Sequence, residues 1–159
     1  RSSSPAAAEL AAVADGLARQ GVAARAALMN VQGYRCELAV AAGDRAAGRA
    51  VCPATVVIGE AVYGAASAQL VWPLLVAGRF ALLDGTPGLA ADWLERALAI
   101  SATGAPNPLL PALAAGHLAR AYLALHDRRA AAQRRAARAA LATQADQPEA
   151  AELLTELAE

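Results

Sequence analysis

The chain has no lysine, a single phenylalanine, a single methionine and only two cysteines among its 159 residues. Each scarcity closes off a class of function. A Gly-rich phosphate loop ends in Gly-Lys-Ser/Thr, so a chain without lysine cannot carry one. The Gly-x-Ser-x-Gly turn of the common hydrolase elbow is also missing. Cys36 and Cys52 are too few for a disulfide framework and lack the paired spacing of a zinc site. Lying in Ala-rich, apolar surroundings, they read as reduced, packed thiols. Apolar runs are broken by Arg, Asp, Glu or Gly well short of the ~18 residues that a membrane span needs, so no membrane partner is expected. Charge of one sign is not in excess either. The 14 basic residues, all arginine, face 14 acidic ones, which gives no reason to expect direct nucleic-acid binding. The opening Arg1-Ser2-Ser3-Ser4 has neither an initiator Met nor an apolar leader, so the expectation is a fragment of something longer, with a cytoplasmic location.

What remains is alanine and leucine. Hydrophobic residues make up 57% of the chain and charged ones 18%, which argues for a packed core rather than disorder. Alanine has the highest helix propensity because it loses no side-chain entropy, and its small side chain lets neighbouring helices approach closely. The length suits a single domain over residues 1–159. Val56-Val57-Ile58 is the one β-branched run, too short and isolated to build a sheet.

Helix start and stop signals recur along the chain. Ser4-Pro5 places a capping hydroxyl before a proline at the first helical position, with Gly21 closing that segment. A second helix runs to Ala42 and stops at Gly43. Asp44 caps a third segment, which Pro53 is expected to break or kink by removing a backbone donor, leaving the path over 51–64 open. Trp72, Val76 and Phe80 share one face of a segment containing Pro73, which implies either a kink or a helix that begins at Trp72. Asp84-Gly85 stops it and Thr86-Pro87 starts the next. Asn107-Pro108 opens a helix through Leu125, and Asp127 opens another to about Gln144. Asp146-Gln147-Pro148-Glu149 reads as a capping box before a short terminal helix.

The turn acids Asp44, Asp84 and Asp127 recur at intervals of roughly 40 residues. Ala39, Phe80 and Tyr122 fall about one helical turn before each of these bends. Around the last bend, Leu118, Ala119, Tyr122 and Ala131 resemble the large, small, aromatic and small positions of tetratricopeptide repeats. Arg135 and Arg138 depart from that pattern, standing where the family places an apolar and a small residue. The resemblance implies an all-α fold: antiparallel helical hairpins (about 5–42, 44–83, 87–125 and 128–158) stacked as a right-handed array with a C-terminal capping helix. The stretches from Glu37 to Asp44, Val71 to Arg79 and Leu94 to Leu98 also resemble the helical arm of large LuxR-type, ATP-binding transcriptional regulators. That likeness implies a sensor or coupling arm without the ATPase or DNA-reading modules.

Little in the chain points to catalysis. His117 and His126 stand nine residues apart on opposite sides of a helix end, which is no metal geometry. His126 reads as a helix terminator and His117 as a groove or core residue. Acidic Glu149, Glu152, Glu156 and Glu159 form a stripe expected to complement Arg128, Arg134, Arg135 and Arg138 of the preceding helix. No catalytic, cofactor-binding or metal-binding residue is expected, and the chain is read as no enzyme. The tetratricopeptide register implies that Leu113, Gly116, Arg120 and Leu123 face a concave surface, with Arg120 suited to a carboxylate. The function expected is therefore a non-catalytic scaffold for a peptide, protein partner or small effector. The alternative is a small-molecule domain with an apolar pocket between Trp72, Phe80 and Trp93, although their helical spacing favours core packing.

Overall fold

A computed structural model describes residues 5–18, 22–104 and 107–158. They form eight α-helices: α1 (Pro5–Ala18), α2 (Val22–Ala41), α3 (Arg45–Tyr63), α4 (Val71–Asp84), α5 (Pro87–Ser101), α6 (Leu109–Ala124), α7 (Ala130–Ala142) and α8 (Pro148–Glu156). A short 3₁₀ turn, Ala68–Leu70, precedes α4. No strand occurs among the described residues, and none of their helices is long and apolar enough to cross a membrane. The expected cap at Ser4, the stop at Gly21 and the acid Glu159 lie outside the described residues.

Local chemistry explains most boundaries. The Asp44 carboxylate accepts the Ala47 N–H at 3.1 Å, satisfying one of the donors left open at the start of α3. Asn107 accepts the Leu109 N–H at 3.0 Å and so opens α6. Pro73 falls in the first turn of α4, where a missing N–H leaves no helical bond unmade, so the helix simply begins beside it at Val71. Two expectations are corrected. Pro53 does not end α3, which continues to Tyr63 and stops at Gly64 in a positive-φ conformation. Pro53 is exposed, while Val51, Cys52, Thr55 and Val56 around it are buried and hold both halves of the helix in place. The capping box at Asp146 does not form either. Pro148 takes the first helical position and forces Gln147 into an extended conformation, so Gln147 becomes the cap without a side-chain bond. Asp146 instead accepts from the Gln147 side-chain amide.

The three bends between α2 and α3, α4 and α5, and α6 and α7 are built alike. At each, the last bend residue donates its N–H five residues back: Asp44 to Ala39, Thr86 to Ala81 and Asp127 to Tyr122, all at 2.9 Å. The residue before it has positive φ: 64° at Gly43, 79° at Gly85 and 53° at His126. This is the Schellman arrangement, which satisfies carbonyls at a helix end. It corrects the middle register read from the sequence, because Thr86 rather than Asp84 matches Asp44 and Asp127, and Ala81 rather than Phe80 matches Tyr122. Asp84 has a different task, gripping the Arg49 guanidinium with both carboxylate oxygens and tying α4 to α3.

Packing follows an alternating plan. Each helix lies against the next in sequence, and the even-numbered helices also pack in a row: α2 on α4, α4 on α6 and α6 on α8. Helices α3, α5 and α7 do not pack on one another among the described residues. Ion pairs link that outer row instead, Arg96 of α5 with Glu60 of α3 and Arg129, just ahead of α7, with Glu95 of α5. Among the described residues, helices α1 and α2 share no packing with α6, α7 or α8, so the row they form does not close on itself.

Close approach depends on glycine facing a large side chain on a neighbouring helix. A methyl group at Gly48 of α3 would overlap the Phe80 ring of α4, and one at Gly78 of α4 would overlap Leu94 of α5. Most buried apolar residues form one cluster through α4 to α8. A second cluster gathers Cys36, Val51, Cys52, Val76 and Phe80, with Trp72 packed at its margin. Within it the expectation of free thiols is overturned: Cys36 and Cys52 are joined in a disulfide, with Cα atoms 5.0 Å apart and both side chains fully buried. Seven residues before the Gly43 bend and nine after it, antiparallel pairing brings the two side chains opposite each other. Sequence neighbourhood alone does not reveal that opposition, because it depends on the position of the bend.

Candidate functional site

The row of even-numbered helices frames a cleft of about 260 Å³. Helix α6 supplies its centre with Leu113, His117 and Arg120. On one side stand Arg79, Leu82 and Leu83 of α4, with Val40 of α2 beyond them. On the other side stand Glu149, Glu152, Leu153 and Glu156 of α8. Helix α6 separates the two walls, since α4 and α8 each pack on it and not on each other.

Electrostatics distinguish the walls. Arg120 reaches α8 and pairs with Glu156 at 3.0 Å, both side chains being more than two-fifths exposed. Such a pair contributes little to stability because water screens it, so its interest is positional. His117 is buried, and its Nδ1 has no hydrogen-bond partner. Burial, followed by the nearby charges of Arg79 and Arg120, pushes its pKa down to about 3. The imidazole is therefore neutral at physiological pH, carrying one N–H and one acceptor nitrogen.

Of the residues singled out from the sequence, Leu113 and Arg120 line this cleft. Gly116 lies one turn away on α6 but is roofed by Leu153 and Leu141. Leu123 is 44% exposed and outside the cleft lining. Trp72 and Phe80 are brought together, though as packing elements. Phe80 is buried over Gly48, and Trp72 covers Gly33, leans on Tyr34 and donates its indole N–H to Glu37 at 3.1 Å. Trp93 is partly buried against the larger cluster instead.

The tetratricopeptide positions divide in the same way. Leu118, Ala119 and Tyr122 are buried, whereas Ala131 is exposed and Ala130 takes the buried place at the start of α7. Tyr122 donates its hydroxyl to Glu95, and Arg129 stacks over its ring at 4.2 Å. Burial and that acceptor raise the Tyr122 pKa to about 12. The Arg129 side chain and backbone N–H hold the Asp127 carboxyl down to about 2.

The acidic stripe also differs from expectation. No described ion pair joins α8 to the arginines of α7; Glu149, Glu152 and Glu156 face the cleft instead. Sequence reasoning missed Arg79 and the α8 wall. One signal did exist for Arg79: counting back six residues from Gly43, Gly85 and His126 gives Glu37, Arg79 and Arg120. Among the described residues, no group of three or more His, Cys, Asp or Glu side chains is placed to hold a metal ion. No protein-family model matches the chain, and no curated protein or solved structure matches it either.

Proposed function

We propose that the chain is a non-catalytic helical-repeat scaffold, stacked in the manner of tetratricopeptide arrays, whose cleft between α4, α6 and α8 holds a peptide or effector. One observation carries this reading: residues from four helices converge on one concavity where apolar side chains meet a buried, neutral histidine and two arginines. Concavities in which apolar side chains meet convergent polar groups are where ligands are oriented. The matching bends at Gly43, Gly85 and His126 support the repeat itself. Nothing in the cleft pairs a nucleophile with a base, which favours recognition over chemistry.

The apolar-pocket alternative has less support, because Trp72 and Phe80 already fill the space above Gly33 and Gly48. The cytoplasmic regulator arm loses support from the buried Cys36–Cys52 link, since such links belong mainly to oxidising compartments. The scaffold reading depends on neither location. Fluorescence anisotropy with labelled peptides pairing Leu with Glu tests it. Arg120→Ala should weaken binding about tenfold, the loss of roughly one charge-assisted hydrogen bond, and Leu123→Ala should not. Equal binding by wild type and Arg120→Ala would refute the reading.

A further inference from the structure

The cleft is polarised across its width. Arg79 projects from the α4 wall, while Glu149 and Glu152 belong to the α8 wall. Arg120 and Glu156 satisfy each other between them. Among the described residues, Arg79, Glu149 and Glu152 make no ion pair and no side-chain hydrogen bond. His117 lines the floor, and its Nδ1 is buried without a hydrogen-bond partner. A ligand of one charge would meet attraction at one wall and repulsion at the other.

Resting on the cleft being the ligand site, we infer that it takes a short peptide with free termini, two or three residues long. Its carboxylate meets Arg79, its ammonium meets Glu149 or Glu152, and its apolar side chains lie on Leu82, Leu113 and Leu153. Reach selects the length. The walls flank a helix whose diameter with side chains is about 10 Å, wider than the separation of the two charged groups of an amino acid, which sit on adjoining atoms. An extended chain gains about 3.3–3.6 Å per residue, so two or three residues span the gap once the Arg and Glu side chains lean inward. Volume sets the same limit, for about 260 Å³ lies below the ~300–1,000 Å³ typical of drug-sized ligands.

Isothermal titration with the dipeptide Leu-Leu, its N-acetyl form and its C-terminal amide tests the inference on the full chain. Free Leu-Leu should bind saturably, and blocking either end should weaken binding at least tenfold. Arg79→Gln should weaken free Leu-Leu by a similar factor while leaving the amide unchanged, because the amide has already lost the group Arg79 meets. The double variant E149Q/E152Q should do the same on the amine side, with unchanged thermal unfolding showing that both proteins fold. Equal binding of free and blocked forms, or no heat at millimolar Leu-Leu, overturns the inference. If Leu-Leu fails while longer Leu/Glu peptides still bind through Arg120, this inference falls and the scaffold reading stands. Failure of both removes both.

Discussion

Reducing the Cys36–Cys52 link is the perturbation whose size follows most directly from the structure. The bond closes a loop with a sequence separation of 16. In the chain-entropy treatment, a cross-link over a loop of that length removes about 10 cal/mol/K from the unfolded ensemble, or about 3 kcal/mol at 25 °C. For a chain of this size each kcal/mol moves the unfolding midpoint by about 2–4 °C, so the reduced protein should melt about 6–12 °C lower. Both sulfurs are fully buried, so reductant should act only on unfolded or locally opened molecules. The assay is therefore to reduce in urea, refold in the presence of reductant, and compare thermal and urea midpoints with the oxidised protein. C36A/C52A serves as a control that cannot re-oxidise. Coincident midpoints for oxidised and reduced protein would refute the reasoning, as would rapid alkylation of both cysteines in the native, unreduced chain.

Three further outcomes follow from named residues. Protonating His117 is harder in the folded chain (pKa about 3) than in the unfolded one (about 6.5), so the folded state binds fewer protons between those values. Stability should fall as pH drops through that window, by up to about 1.4 kcal/mol per pH unit from this group, and urea midpoints of His117→Gln should vary less from pH 6 to 4. His126 is the non-glycine residue with positive φ at a bend that Gly43 and Gly85 make with glycine. His126→Gly should therefore stabilise the chain by about 0.5–1 kcal/mol, and an unchanged or lower urea midpoint would count against that account of the bend. Gly48→Ala should drive a methyl group into the Phe80 ring and cost about 1–3 kcal/mol, checked by the same denaturation curves.

Much of the fold was legible because helix ends carry local chemistry. Asp44, Asn107 and Gly85 act within a few residues, and each marks a boundary close to where the sequence places it. Pro53 and the thiols of Cys36 and Cys52 depend on what lies across from them, which local pattern does not contain. The capping box at Asp146 failed for a local reason, because Pro148 takes the first helical position and moves the cap to Gln147. The middle bend was misaligned because Asp84 has the same side chain as Asp44 and Asp127 but serves Arg49, while Thr86 occupies their backbone position. Of the cleft, Leu113 and Arg120 were within reach of the register that the tetratricopeptide resemblance implies. Gly116 was not separable from them by spacing, since only the docking of α8 puts Leu153 over it. The α8 acids were seen as a stripe but assigned to the wrong neighbour, because adjacency in sequence suggested α7 and packing brought them to α6.

Nuclear magnetic resonance on protein labelled with ¹⁵N at histidine and tryptophan side chains addresses the cleft most directly. Titrated with the tightest-binding peptide, the His117 ring nitrogens, assigned by comparison with His117→Gln, should shift through saturation while the Trp72 indole signal, tied to Glu37, stays in place. A moving Trp72 indole with unperturbed His117 would instead put the ligand among the aromatic residues and contradict the account.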